Sequence, residues 1–132
     1  MREIVRVIRL HPEGSAESGM GPWQIVDHDN VISPNAKDRA VEMVNRELIE
    51  PSRVRVGIWE AQPYKEKLVN YQCNEFMHVI EGSCTIIEED GRKERFSKGD
   101  SFFMPLGFNG IWEQEETMKK YYMIVEPTKA SS

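Results

Sequence analysis

Residues able to do chemistry are few in this sequence, and they are scattered. Histidine occurs three times. His11 and His28 fall in loop-like segments and read as solvated, whereas His78 falls in a strand-like one. Cys73 and Cys84 sit ten residues apart without CxxC spacing and without a partner such as His beside them to activate a thiolate. Between Glu75 and Ile80 a continuous strand would alternate, placing Glu75, Met77 and Val79 on one face and Phe76, His78 and Ile80 on the other. His78 is thereby assigned to packing or an interface, away from Glu75, unless a bulge reverses the parity. Near the C-terminus, the parity that turns Lys120 inward also turns Tyr122 and Ile124 inward and leaves Tyr121 and Met123 outside. An inward ammonium can pair with a carboxylate such as Glu75 or hold the carboxylate of a substrate. Glu113 to Glu116 read as a solvated acidic turn, and Gly107 and Gly110 as turn or close-packing glycines with no role in cradling phosphate.

These residues need strands to position them, and from Arg53 onward the texture is all-β. Short runs rich in Val, Ile, Phe and Tyr recur at Arg53–Trp59, Asn74–Ile80, Ser83–Glu88, Lys93–Phe96, Ser101–Met104 and Tyr121–Val125. Asp90-Gly91 predicts a hairpin with a type I′ turn. Strands this short, with a turn every eight to twelve residues, argue for a sandwich or barrel. Residues 1–50 are uneven. Ile4 to Leu10 read as an apolar strand, His11 to Pro22 as a loop and Trp23 to Val26 as a short apolar stretch. Ser33-Pro34 reads as a helix start, with Val41, Val44 and Leu48 following at spacings of three and four. The Val and Ile content leaves a twisted strand open for Glu42 to Glu50.

Length and composition bound the function classes. The 132 residues make one domain, 39% hydrophobic and 30% charged, which is not a disordered composition. Seventeen basic against twenty-two acidic residues give a net charge of -5 and no basic stripe, so no nucleic-acid partner is expected. No apolar run is long enough to span a bilayer. The opening MREIVRVIRL alternates charged and apolar residues instead of forming an export signal, so a cytoplasmic protein with reduced cysteines is expected.

Two segments resemble the paired motifs of the cupin superfamily. Glu75-Phe-Met-His-Val-Ile-Glu-Gly82 is similar to the second half of the first motif, and Gly99 to Gly110 is similar to the second. Gly57-Ile-Trp-Glu60, Gly110-Ile-Trp112-Glu113 and Met118 to Val125 extend the resemblance to the ureidoglycine aminohydrolase-like cupins and to the cupin domain of ethanolamine utilisation. The implied fold is all-β, a cupin-type jelly-roll barrel over residues 53–126, preceded by an irregular extension (1–52) and followed by a short tail (127–132). Metal-binding cupins place two His before the Glu of the first motif and one His at the end of the second. Counted onto this chain, those positions are Val69 and Tyr71 (or Leu68 and Asn70) and Gly110, and no imidazole is present. The Glu-His-His-Gln manganese set of the ureidoglycine enzymes is missing as well. A set made of Glu75, Tyr71 and Asn109 would bind a metal weakly, so no cofactor is expected.

The resemblance implies an interior pocket. Glu75 takes the place of the family's inward carboxylate, and in apolar surroundings it suits a general acid or base; a structural carboxylate held by Tyr, Lys or backbone donors is the alternative. Lys120 matches the family's lysine in the last strand, and Glu75 and Lys120 are the candidate catalytic pair. Tyr71, Trp59, Trp112, Asn109 and Met77 are the candidate ligand-binding residues, with barrel packing as the alternative for the aromatic ones. The expected function is binding of a small polar acid, amide or sugar-like metabolite, with metal-independent or weakly metal-dependent catalysis by Glu75; a non-catalytic metabolite-binding or accessory cupin is the alternative. A homodimer is expected, with residues 1–50 wrapping the barrel or crossing to the partner.

Overall fold

The structure, a computed structural model, describes residues 4–49 and 51–128. Among these residues there is no helix. Ten strands form two antiparallel sheets that face each other as a jelly-roll barrel. The strands are β1 (Gln24–Ile25), β2 (Lys37–Glu47), β3 (Ser52–Ala61), β4 (Lys65–Leu68), β5 (Asn74–Glu81), β6 (Ser83–Glu88), β7 (Lys93–Ser97), β8 (Ser101–Met104), β9 (Gly110–Glu113) and β10 (Met118–Pro127). The six-stranded sheet has the order β1-β2-β3-β10-β5-β8, and the four-stranded sheet β4-β9-β6-β7.

Alternation fills the space between the sheets. Ala61, Met77, Val79 and Met118 have no exposed surface and meet Ile86 and Trp112 from the smaller sheet. Phe96 and Phe102 stack at 4.1 Å and fill the barrel beside Trp112. Cys73 and Cys84 are buried free thiols.

The region around Val41 is strand β2 and not a helix, so the twisted-strand alternative from Glu42 onward is the one that forms, beginning earlier, at Lys37. A bulge between Glu42 and Val44 explains the misleading spacing: Val41 opposes Ile58 and Val44 opposes Val56. The extra residue lets two valines three positions apart share one face of a sheet. The limit at residue 52 therefore marks where the motif resemblance begins and not a boundary in the fold, since β1 and β2 belong to the large sheet. Ile4 to Leu10 form no strand; Ile4, Val5 and Val7 are exposed at 74–99%.

The hairpin at Asp90-Gly91 forms with a different turn. The Glu88 amide donates to Arg92 O at 2.8 Å and the Gly91 amide to Glu88 O at 2.9 Å, with Gly91 at φ +91°. A three-residue loop with one left-handed glycine replaces type I′, so Asp90 is spared a positive φ.

Candidate functional site

Between the sheets lies an open-mouthed cavity of about 320 Å³. Its walls come from the regular alternation of β3 and β10. Trp59 opposes Lys120, Gly57 opposes Tyr122 and Arg55 opposes Ile124, all facing inward. Gly57 is required by this arrangement. A Cβ there would meet the Val41 carbonyl oxygen and lie 2.7 Å from the Tyr122 hydroxyl, so only glycine lets the tyrosine ring lie across β3.

Lys120 organises the inner end. Its side chain runs past Met77, and Nζ donates to Glu75 Oε2 at 3.0 Å and contacts Met77 Sδ at 3.0 Å. The same ammonium lies 4.6 Å from the centroid of the Trp59 ring and 4.9 Å from that of Trp112. The indoles, one from each sheet, meet edge to face at 87°. Both are anchored, with Trp59 Nε1 donating to Asp38 Oδ2 at 3.0 Å and Trp112 Nε1 to the buried Gln114 at 2.9 Å. The other oxygen of Glu75 accepts the Tyr71 hydroxyl at 2.5 Å. Glu75 is thus held by a tyrosine and a lysine, the alternative arrangement read from the sequence, with both oxygens engaged and its side chain 5% exposed.

A second polar group stands across the cavity. Glu66 on β4 accepts the Tyr64 hydroxyl at 3.2 Å and bonds His28 Nδ1 at 2.8 Å. That hydrogen bond, against the opposing effect of burial, raises the His28 pKa above its usual 6.5. At the mouth, Arg55 is held by Glu126 at 2.9 Å and Glu42 at 3.0 Å, and Tyr122 donates to the same Glu42 at 3.3 Å. Burial, and then the neighbouring carboxylates, lift Tyr64, Tyr71 and Tyr122 above the ordinary phenol value, so all three are hydrogen-bond donors.

Of the residues singled out in the sequence, Glu75, Lys120, Tyr71, Trp59 and Trp112 converge on the cavity. Met77 lies beneath the ammonium and is fully buried. Asn109 does not belong to the group: its Oδ1 accepts the Asn70 amide at 2.8 Å and its Nδ2 donates to Gly107 O at 3.1 Å, bracing two loops. His78 keeps to the outer face, stacked on Tyr121 and bonded to Ser101 at 2.8 Å. His28, read from the sequence as solvated, has a side chain 44% exposed but also bonds Glu66, a partnership not foreseen; nor were Asp38 and Glu66 themselves. For Glu66 a signal exists, because Tyr64, just before β4, and Glu66 and Leu68 on it alternate as buried positions, with an acid between two apolar residues. His28 and Asp38 carry no such signal.

A two-sheet jelly roll with a polar cavity between its sheets is the architecture of a cupin. Residues 50–122, more than half of the chain, match the EutQ-like cupin domain, and the chain belongs to that family. No curated protein matches the chain. Among solved structures, a protein of unknown function of the DUF861 family from Pseudomonas syringae pv. tomato superposes with a TM-score of 0.74 at 23% identity, over 87% of this chain. This chain spans only 46% of that protein's length. The Clostridium difficile EutQ protein follows with a TM-score of 0.53 at 21% identity, covering 70% of this chain and 71% of its own. The polyketide cyclase RemF from Streptomyces resistomycificus covers 96% of this chain and 83% of its own, with a TM-score of 0.60 at 15% identity. At these identities the likenesses establish a shared fold.

The metal that many cupins hold finds no matching donors here. Val69 is exposed, Leu68 is packed in the core, Asn70 lies in a loop at φ +49°, and Gly110 has no side chain. Both oxygens of Glu75 are already taken by a phenol and an ammonium, so the buried cation beside this carboxylate is a lysine. Among the described residues no group of three or more His, Cys, Asp or Glu is placed to hold a metal ion.

Proposed function

We propose that this chain is a metabolite-binding cupin whose barrel takes a small, uncharged polar molecule of the amide or sugar-like class. The observation that carries this reading is the charge arrangement of the cavity. Asp38, Glu66 and Glu75 line it, Lys120 is committed to Glu75, and Arg55 is committed to Glu42 and Glu126. An anionic ligand would have to displace one of these pairs to reach Lys120 or Arg55, whereas hydroxyl or amide N–H groups can donate to Asp38 and Glu66 without doing so. A volume of about 320 Å³ stands at the low end of small-molecule sites, which span about 300–1,000 Å³. The indole faces of Trp59 and Trp112 supply the apolar wall. Lys120 and Glu75 then act as the fixed inner end of the pocket, with no resident metal required.

The resemblance to ureidoglycine aminohydrolase-like cupins extends to the position of Lys120 and of the two tryptophans, but not to that activity, whose metal ligands this chain lacks. Binding is tested by intrinsic tryptophan fluorescence with a panel of small amides, monosaccharides and hydroxy acids. Saturable changes with amides or sugars, lost in Ala40→Trp (a cavity-wall position on β2), are expected. Preferential binding of hydroxy acids, or binding that survives Ala40→Trp, would refute the reading.

We further infer a cytoplasmic homodimer joined through the outer face of the large sheet. Val44, Val56, Met123, Phe76 and Phe103 form one cross-strand apolar row, with Phe76, Phe103 and Met123 exposed at 41–58%. Light scattering should give a dimer for the wild type and a monomer for Met123→Lys; a monomeric wild type would contradict this.

A further inference from the structure

The engagement of both Glu75 oxygens moves attention to the opposite wall, where an unforeseen histidine meets a largely buried acid. His28 and Glu66 both border the cavity, with Nδ1 2.8 Å from Oε1; the Glu66 side chain is 12% exposed and that of His28 44%. A carboxylate only accepts hydrogen bonds, so in the neutral imidazole the proton sits on Nδ1 and Nε2 carries the lone pair. Nε2 has no hydrogen-bond partner among the described residues. The geometry is held from several sides. The Tyr64 hydroxyl donates to the same Glu66 oxygen at 3.2 Å. The loop carrying His28 is pinned to β4 by the Lys67 amide donating to Asn30 O at 3.0 Å and by the Val31–Glu66 bridge, and buried Val26 bonds Ala36 at its other end. His28 lies outside residues 50–122, so the matched family segment supplies Glu66 but not its histidine partner.

Building on the metabolite-binding reading, we propose that His28 and Glu66 form a proton-transfer dyad and that the cavity catalyses a redox-neutral proton shift in a neutral carbonyl compound of the sugar-like class. His28 Nε2 takes a proton from the carbon next to the carbonyl, forming an N–H bond. The electron pair of the broken C–H bond moves into the ligand, which becomes an enolate. Glu66 holds the resulting imidazolium, and the proton returns to another atom of the same molecule, so no co-reactant is consumed. Other charged groups around the cavity act on the dyad. Glu66 and Asp38 favour the imidazolium, whereas Lys120 opposes it.

Two readouts test this on the full chain. The first is the NMR titration of the His28 ring. Its midpoint in the wild type should lie above that in Glu66→Gln, which keeps the hydrogen-bond acceptor and removes the charge. The second is solvent deuterium incorporation at the α-carbon of dihydroxyacetone and glyceraldehyde, followed by proton NMR. The wild type should accelerate exchange, His28→Gln should lose about 10²-fold or more, and Glu66→Gln should fall in between. His28 sits on a partly exposed loop, so His28→Gln should keep its fold, read as a cooperative urea transition. A midpoint unmoved by Glu66→Gln, exchange no faster than in buffer, or exchange indifferent to His28→Gln would each overturn the dyad. Absence of any fluorescence response in the wild type would instead overturn the binding reading beneath it.

Discussion

Replacing Lys120 with methionine removes an ammonium from a site where the lysine side chain is 8% exposed and that of its partner Glu75 5%. The thioether fills much the same volume, so the principal loss is charge. At 3.0 Å and an effective dielectric constant near 20, the ion pair corresponds to about 5–6 kcal/mol of attraction, most of it offset in the wild type by desolvation of the two groups. Removing one partner leaves the other charge buried without compensation, which costs about 3–5 kcal/mol. Contacts to two indoles at 4.6 and 4.9 Å are lost as well. In a domain of this size each kcal/mol moves the thermal midpoint by about 3–5 °C, so Lys120→Met should melt roughly 10–20 °C lower. The double variant Glu75→Gln/Lys120→Met removes both charges and should recover to within about 1–2 kcal/mol of wild type. Urea denaturation of wild type, both single variants and the double variant measures the coupling directly. Should Lys120→Met be as stable as wild type, or the double variant no more stable than it, Lys120 and Glu75 are not a buried ion pair and the reasoning fails.

Gly57→Ala forces a Cβ against the Val41 carbonyl and the Tyr122 hydroxyl, so a loss of about 1–3 kcal/mol in urea unfolding is expected, and a neutral effect would contradict the close packing of β2, β3 and Tyr122. Burial pushes the thiols up to about 11 for Cys73 and about 12 for Cys84. Neither should therefore react with Ellman's reagent at pH 8 in the folded protein, and both should react in denaturant. The His28 pKa is raised in the folded state, chiefly by its bond to Glu66. The stability this adds is fully present below the unfolded value of 6.5 and is lost as pH rises through the higher folded value. The gap in urea midpoint between wild type and His28→Gln should accordingly be widest in mild acid and narrow toward alkaline pH; a pH-independent gap would count against the pairing.

Much of the site was legible because strands impose a period of two. Glu75, Met77 and Val79 fall on one face, as do Lys120 and Tyr122, and the pairing of β10 with β3 and β5 turns both sets toward the interior. The same rule placed His78 outside. Legibility failed where the backbone departs from that period. The bulge in β2 gives Val41 and Val44 a helix-like spacing, so the twisted-strand alternative begins only at Glu42 and misses the start of the strand, which carries Asp38 to the cavity. Asn109 was assigned from a motif position, but its side chain satisfies the backbone of a neighbouring loop, a demand that no spacing reveals. His28 is brought to Glu66 by loop packing across 38 residues of sequence, which no local pattern encodes. Composition and motif therefore located the barrel and its inner ion pair, whereas the opposite wall of the cavity emerged only from the tertiary fold.

The most direct test of a cupin interior built around a lysine is the elemental content of the protein purified without a metal-affinity tag or chelator. Plasma mass spectrometry should find Mn, Fe, Ni and Zn far below one atom per chain, with no change in Glu75→Gln. Near-stoichiometric metal that disappears in Glu75→Gln would contradict the assignment of Lys120 as the cation of this site.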